Sequence, residues 1–259
     1  MTPPTRSRAG SSAHAEYQRQ RLAWKRNRRR VALRWSPAWI SAAVFLGWMI
    51  GRDLRFLGAA GQWFGVGSGL VIAVVVLSAI YAPDKSVMTW SAGAEGERRT
   101  GRMLDKLERR HGWVILHDRA VPDSQANLDH LVIGPPGLVY VDSKNWEPKR
   151  VRTKRAPLTS NGVSLWCGRQ NKDKELRTAR WEADQAAQAI GLALGEDTPS
   201  IQTVVAVHGA DVPVGPLQGV MVIGASQLYR YLQNLPAHWS QERIRTVALA
   251  AEKSLPAYI

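Results

Sequence analysis

Two long stretches near the N-terminus contain no charged residue. They cover residues 35–51 and 56–83, and aromatic residues stand near the ends of both. At 1.5 Å per residue, residues 63–82 would form a helix of about 30 Å, the thickness of the hydrocarbon core of a bilayer. Aromatic residues at such ends are typical of membrane helices. The pattern therefore predicts two transmembrane helices, at about 35–51 and 63–82, in a hairpin that covers residues 35–83.

The segment before this hairpin, residues 1–34, contains ten Lys or Arg and one acidic residue. Positive charge just before a membrane span favours a cytoplasmic N-terminus, and two crossings return the chain to the cytoplasm. We therefore expect a multi-pass protein of the cell membrane whose N-terminus and C-terminal domain are cytoplasmic. The basic tail would lie on anionic lipid headgroups, and direct DNA binding by the tail is the competing interpretation.

Other interpretations of the apolar stretches are a helical hairpin outside a membrane and, for the first stretch, the core of a signal peptide. The region before the first stretch is longer than in a usual signal peptide, and a second apolar stretch follows at once. Both features disfavour the signal peptide.

The cysteine and histidine content limits which disulfides and zinc sites the chain can form. The single cysteine, Cys167, excludes an internal disulfide, and the six histidines lack the paired spacing of a structural zinc site. Much of the net charge of +14 belongs to residues 1–34. The overall basicity therefore does not by itself identify a DNA-binding domain.

The remainder of the chain, residues 84–259, has the pattern of an α/β domain. Residues 92–112 place Met103, Leu104 and Leu107 on one helical face and end at a glycine, a typical helix end. Runs of apolar residues separated by turn residues predict strands. The predicted strands are residues 113–118, 127–134, 137–146, 162–167, 201–209 and 219–224, and a long helix is predicted at 175–195. This order of elements predicts a mixed sheet flanked by helices.

Two neighbouring predicted strands, NLDHLVIG and GLVYVDSKNW, carry charged residues within apolar runs. Asp142 and Lys144 share a face, since they lie two apart, and Asp129 stands opposite Asp142 if Gly134 pairs with Gly137 across the turn GPPG. Such neighbours have Cβ atoms about 4.5–5.5 Å apart, so both carboxylates could hold one divalent cation. Two prolines disfavour a type I turn, and a three-residue loop would turn one face over, so the register stays open.

The order of these motifs resembles the PD-(D/E)xK nuclease superfamily, in which an acid-x-Lys triplet lies on the second strand of a hairpin. More narrowly, the segments AGAEGE, NLDHLVIGPPGLVYVDSKNW, WEADQAAQ and IQTVVAVHG look like the nuclease-related domain family, known as NERD. The resemblance covers about residues 91–208. It implies a restriction-endonuclease-like mixed sheet and a nuclease activity.

A metal-dependent phosphodiesterase site is what the resemblance implies for the hairpin. Asp129 and Asp142 match the metal ligands, with the Ser143 backbone carbonyl as a further oxygen. Oxygen ligands suit Mg²⁺, with Mn²⁺ as the alternative. Lys144 matches the residue that orients or deprotonates the attacking water and offsets charge in the transition state.

Two helical residues complete the implied site. Glu97 matches the acid of the first helix, and Gln185 matches a glutamine on a later helix that steadies the substrate or the lysine. One departure concerns Asp142, which stands where the superfamily more often has Glu. The shorter side chain would loosen the metal site.

The segment KRVRTKR follows the catalytic strand and is strongly basic. Its candidate nucleic-acid-binding residues are Lys149, Arg150, Arg152, Lys154 and Arg155. Phosphate neutralisation dominates non-specific affinity for nucleic acid, so we expect this segment to bind the nucleic-acid backbone. The alternative is a solvated loop. No base-reading motif is visible in the sequence, and sequence specificity is therefore not predicted.

Plainer roles stay open for several of these residues. Asp142 and Lys144 could be a surface ion pair on an edge strand. His130 could be a core or surface histidine, Glu95 a solvated carboxylate, and Gln185 an ordinary helix residue.

The expected function is that of a membrane-anchored, Mg²⁺-dependent nuclease that hydrolyses phosphodiester bonds, with DNA as the expected substrate. The alternative is a catalytically inactive, membrane-tethered nucleic-acid-binding or scaffold module on the same fold. The complete set Glu97, Asp129, Asp142 and Lys144 favours the enzyme, because a module without catalysis does not need all four. Binding to another protein at the membrane has no positive sign in the sequence.

Overall fold

The structure is a computed structural model that describes residues 9–53, 58–81, 85–146, 156–212 and 215–258. The chain divides into two compact units. The larger unit comprises Met1–Ala15 together with Trp90–Ile259, and the smaller unit comprises Glu16–Thr89.

Two helices make up most of the smaller unit. Helix α1, Ser11–Asp53, begins before this unit and continues into it, and helix α2 covers Ala59–Tyr81. Glycines allow the two helices to approach each other closely. A Cβ atom added at Gly65 would lie 2.5 Å from the backbone oxygen of Gly47. Any larger residue at this position would push the helices apart.

The predicted transmembrane hairpin at residues 35–83 is wrong. None of the helices formed by the described residues combines the length with the apolar character that a membrane crossing requires. The multi-pass location in the cell membrane and the lipid contact through spanning helices, which rested on the hairpin, are corrected with it. Helix α1 joins the first apolar stretch to the basic segment before it, and α2 begins with the glycine-rich and partly polar run AAGQWFGVGSG. The absence of charged residues therefore indicated a more apolar character than these two stretches have.

The larger unit is built on a mixed sheet. Its described strands are β1 (Val114–Ala120), β2 (Asn127–Gly134), β3 (Gly137–Asn145), β4 (Ala156–Ser160), β5 (Leu165–Cys167), β6 (Gln170–Asn171), β7 (Ile201–His208), β8 (Ala210–Asp211), β9 (Gly215–Leu217) and β10 (Val220–Gly224). Six of them form a sheet in the order β1-β2-β3-β7-β10-β9, and a smaller sheet has the order β6-β5-β4-β8. In the large sheet, β7 is parallel to both β3 and β10, and the other neighbours are antiparallel.

Helices cover both faces of the large sheet. They are α3 (Lys85–His111), α4 (Asp173–Leu194), α5 (Leu228–Gln233) and α6 (Gln241–Ser254), with a short 3₁₀ helix at Ala225–Gln227. Leu104 and Leu107 of α3 pack with Val132 and Val141 on one face. The other face packs against α4 and α6, and Tyr140 belongs to this second cluster. The predicted mixed sheet flanked by helices is confirmed.

The hairpin of β2 and β3 settles the register that the sequence left open. Gly134 pairs with Gly137, and regular pairing continues to His130 with Val141. The side chains of each strand alternate between the two faces of the sheet, so His130 and Val141 lie on the face that α3 covers. Asp129 is the next residue of β2 and lies on the opposite face, towards α4.

Candidate active site

A close ion pair lies on β3, where Lys144 Nζ is 2.7 Å from Asp142 Oδ1. The Asp142 side chain is 3% exposed and that of Lys144 33% exposed, so the lysine head marks the opening of the site. Burial by itself lowers the pKa of Lys144, but the charges of Asp142 and Asp129 outweigh burial and raise this pKa above its ordinary value. Lys144 therefore carries its positive charge at neutral pH.

Asp129 lies beside this pair on β2. One of its carboxylate oxygens accepts a hydrogen bond of 2.8 Å from the backbone N–H of Ser143. Burial is the main cause that raises the pKa of Asp129 well above its ordinary value, and the charges of Glu97 and Asp142 raise it further. The hairpin thus concentrates two carboxylates in a buried site around one lysine.

Glu97 belongs to the same electrostatic cluster, although it lies on α3. Its pKa is raised to about 7, first by burial and then by the charge of Asp118, with a smaller contribution from Asp142. Lys144 acts in the opposite direction and lowers this pKa. A carboxyl group with a pKa near 7 can both accept and release a proton at neutral pH.

Glu182 is a residue of this cluster that the sequence analysis missed. It lies on α4 and accepts a hydrogen bond of 2.7 Å from the Tyr140 hydroxyl. Its pKa is raised to about 7, mainly by burial and then by the charge of Asp142. The residues around it on the helix face are apolar and buried. A carboxylate within an otherwise apolar helical stripe was the signal that could have identified it.

The remaining predicted residues have different positions. Gln185 is half-buried on α4, one turn after Glu182, and among the described residues it makes no hydrogen bond to the cluster. The Ser143 backbone N–H binds Asp129, whereas its side-chain hydroxyl is buried and has no partner in the described part of the chain. The predicted nucleic-acid-binding residues Lys149, Arg150, Arg152, Lys154 and Arg155 lie outside the described residues.

Two residues with plainer interpretations lie apart from the acidic cluster. His130 Nδ1 is 2.8 Å from His117 Nδ1 on the face of the sheet that α3 covers. Glu95 forms ion pairs with Arg98 and Arg99, each at 3.0 Å, on the surface of α3. His130 is therefore a core histidine, and Glu95 pairs with arginines at the surface.

The charges of the cluster fit a divalent cation. Glu97, Asp129, Asp142 and Glu182 share one lysine. Burial is the main cause that raises the pKa of Glu97, Asp129 and Glu182, and the charges of neighbouring acids raise each pKa further. Carboxylate oxygens are the ligands that Mg²⁺ prefers. Within the described residues, no group of three or more His, Cys, Asp or Glu has the arrangement of a complete metal site. Two carboxylates can suffice, because Mg²⁺ usually keeps several waters.

Comparisons with known proteins match a segment of the chain that includes the candidate site. An uncharacterised protein of Bacillus anthracis is 24% identical over 143 residues, which is 52% of this chain and 66% of that protein. The match therefore spans slightly less than two thirds of the relative's length. No solved structure matches the chain. The family model described as nuclease-related domain matches residues 92–208, which include Glu97, the β2–β3 hairpin and α4. Residues 92–208 thus match the nuclease-related domain family, which belongs to the PD-(D/E)xK-like nuclease superfamily.

Proposed function

We propose that this chain is a metal-dependent nuclease that hydrolyses phosphodiester bonds of nucleic acid, with DNA as the first substrate to test. The observation that carries the proposal is the ion pair of Lys144 with Asp142, 2.7 Å apart, within the buried acidic cluster of the β2–β3 hairpin. Buried charges are costly, and a cluster of them beside an opening is typical of catalytic sites. The family match over residues 92–208 supports nuclease-like chemistry.

A divalent cation fits the proposed chemistry. Asp129 and Asp142 would hold Mg²⁺ or Mn²⁺, with the Ser143 carbonyl as a further oxygen. When bound, such an ion supplies Lewis-acid activation of the phosphate and of water. The ion would also offset the charges of Glu97 and Asp142, which add to burial in raising the pKa of Asp129.

Lys144 acts as an electrostatic group in this proposal. Its pKa lies above the ordinary value, so it keeps its proton and is a poor base at neutral pH. Its positive charge at the opening of the site can offset charge that develops on the phosphate in the transition state. This function differs from deprotonation of the attacking water, which the resemblance also allowed.

A carboxylate is the proposed proton acceptor. Glu97 has a pKa of about 7, which suits a group that accepts a proton from the attacking water at neutral pH. Glu182 has a pKa of about 7 as well, and its hydrogen bond from Tyr140 holds it towards the sheet. We assign Glu97 as the proton acceptor and Glu182 as a residue that positions the strand of Asp142.

A cleavage assay tests the proposal. The full chain is incubated with supercoiled plasmid, linear duplex, single-stranded DNA and RNA, in Mg²⁺, in Mn²⁺ and in EDTA. We expect metal-dependent cleavage by the wild type and cleavage at least about a hundredfold slower by Lys144→Ala. Binding of nucleic acid without cleavage in either metal would replace the enzyme by the alternative, a catalytically inactive binding module on the same fold.

A further inference from the structure

A cleft of about 430 Å³ lies beside α3, and none of the residues that line it belongs to the acidic cluster. Its polar lining consists of Arg99, Arg102, Lys106, His208 and Ser226. The three cationic residues recur at i, i+3 and i+7 of one helix and therefore stand on one helical face. The side chains of Arg99 and Arg102 are 53% and 66% exposed, so their guanidinium groups are accessible to a ligand.

The charge of this cleft is positive and only partly offset. One carboxylate, that of Glu95, is shared by three arginines: Arg98 and Arg99 at 3.0 Å, and Arg102 at 3.6 Å. One negative charge cannot neutralise three positive charges. Exposed ion pairs of this kind contribute only about 0–1 kcal/mol, so an incoming anion can compete with Glu95 for the arginines.

The cleft opens at the same end of the sheet as the candidate active site. His208 ends β7 and pairs with Asn145 of β3, directly after the pair of Lys144 with Val207. Consecutive strand residues point to opposite faces, so Lys144 faces the acidic cluster and Asn145 faces the side of His208. The His208 ring is held by Thr100, whose Oγ1 lies 2.9 Å from Nε2.

Helix α3 links the cleft to the active site. A Cβ atom added at Gly96 would lie 3.5 Å from Asn145 Cβ and from His208 Cδ2, so the helix crosses this end of the sheet closely. The next residue, Glu97, belongs to the acidic cluster, and Arg99 lines the cleft. A strand of nucleic acid that crosses this edge of the sheet would therefore contact both the acidic cluster and the cleft.

We infer that the cleft formed by Arg99, Arg102, Lys106, His208 and Ser226 binds phosphate groups of the nucleic-acid backbone next to the bond that is cut. Residues 99 to 106 extend over about 10 Å of helix, which fits successive phosphates of a chain better than one small anion. Arginine is suited to phosphate because its guanidinium can donate two parallel hydrogen bonds. Such contacts are independent of base sequence. The inference rests on the proposed nuclease function and identifies residues that would bind the backbone of its substrate.

The test measures binding of the full chain to fluorescent duplex DNA in EDTA, where no cleavage occurs, between about 50 and 200 mM KCl. The variant is Arg102→Gln with Lys106→Gln. We expect its Kd to rise by about tenfold and the slope of log Kd against log salt to fall by about 1.8, since each phosphate contact contributes about 0.9. The charge-matched control is Arg245→Gln with Lys253→Gln, two exposed residues of α6. Unchanged binding by the cleft variant, or an equal loss in the control, overturns the inference.

Two further arms complete the experiment. Glu95→Gln removes the shared carboxylate and should lower Kd by about threefold, because the arginines no longer exchange an internal partner for phosphate. Competition with inorganic phosphate distinguishes a site for one small anion from a site for the nucleic-acid backbone. Full displacement of DNA at low millimolar phosphate overturns the inference. Binding that depends on the cleft without any cleavage in Mg²⁺ or Mn²⁺ leaves the cleft standing and refutes the nuclease. Cleavage of nucleic acid together with normal DNA binding by the cleft variant supports the nuclease and refutes the cleft.

Discussion

The hydroxyl of Tyr140 donates a hydrogen bond of 2.7 Å to the carboxylate of Glu182. Tyr140 lies on β3, two residues before Asp142 and on the same face, and Glu182 lies 42 residues further along the chain than Tyr140, on α4. Burial keeps both side chains from water. The hydrogen bond therefore joins the strand of the candidate active site to the helix that covers it.

The charge of Glu182 should make stability depend on pH. The folded pKa of about 7 lies above the ordinary value of 4.5, so between these values the folded chain holds a proton that the unfolded chain has released. The free energy of unfolding should therefore fall as pH rises from about 4.5 to about 7. In Glu182→Gln this fall should be smaller by roughly 1–3 kcal/mol, measured by chemical denaturation in EDTA. Asp184→Asn, exposed on the same helix, is the control, and identical pH curves for wild type and Glu182→Gln would contradict the prediction.

Replacement of Lys144 should abolish most of the activity. Lys144→Ala removes the positive charge at the opening, and we expect cleavage to fall by at least about a hundredfold. The variant also leaves Asp142 without its partner at 2.7 Å, which should lower the free energy of unfolding by about 1–3 kcal/mol, since the lysine is a third exposed. Lys174→Ala, at an exposed position of α4, should match the wild type in both measurements. Cleavage by Lys144→Ala within tenfold of the wild type would exclude the electrostatic role.

Asp129→Asn should separate metal binding from folding. The variant removes a buried charge, while its side-chain oxygen can still accept the Ser143 N–H, so stability without metal should stay level or rise. Addition of Mg²⁺ should raise the Tm of the wild type, because a ligand of the native state stabilises it, and should not raise that of the variant. Thermal unfolding with and without Mg²⁺ measures both effects. A loss of stability in EDTA would mean that the carboxylate serves the fold.

Glu97 should matter for the reaction more than an exposed acid does. Glu97→Gln removes the group that we assign to accept a proton, and we expect cleavage to fall by at least about tenfold, or roughly 1.4 kcal/mol of transition-state stabilisation. Glu242→Gln, exposed on α6, should change cleavage by less than about threefold. Initial rates with saturating DNA distinguish the two variants. Equal rates in wild type and Glu97→Gln would remove Glu97 from the reaction.

Asp118 should hold the first residues of α1, which are part of the larger unit, against β1. Its carboxylate accepts hydrogen bonds from the Ser12 N–H at 2.6 Å, the Ser12 hydroxyl at 2.7 Å and the Asn127 amide at 2.9 Å. Asp118→Asn tolerates the positive φ of 52° but loses the charge, and the free energy of unfolding should fall by about 1–2 kcal/mol.

Hydrogen exchange of the Ser12 amide provides the local measurement for this variant, and it should become faster. Asp123→Asn is the matched control, because Asp123 has a similar φ of 53° and is exposed. Unchanged exchange at Ser12 in Asp118→Asn would show that the carboxylate does not hold this segment.

Local patterns in the sequence determined the elements that depend on near neighbours. The turn GPPG and the alternation of β2 and β3 predicted the hairpin and limited its register to a few choices, one of which is the observed pairing of Gly134 with Gly137. The end of α3 followed from Gly112, whose φ is +67°. The order of the motifs AGAEGE, NLDHLVIGPPGLVYVDSKNW, WEADQAAQ and IQTVVAVHG likewise indicates the family that the domain matches.

Tertiary structure decided what depends on distant residues. The short strands β4, β6, β8 and β9 were not predicted, since two to five residues carry little periodicity and are stabilised by partners elsewhere. Glu182 meets Tyr140, and Arg99 and His208 line one cleft, only because the chain returns through α4 and β7. The predicted transmembrane hairpin is wrong for a related reason: a stretch without charged residues need not be apolar enough to cross a membrane, and none of the helices in the described part of the chain is. A sequence pattern records what each segment prefers, whereas non-local packing selects which side chains meet.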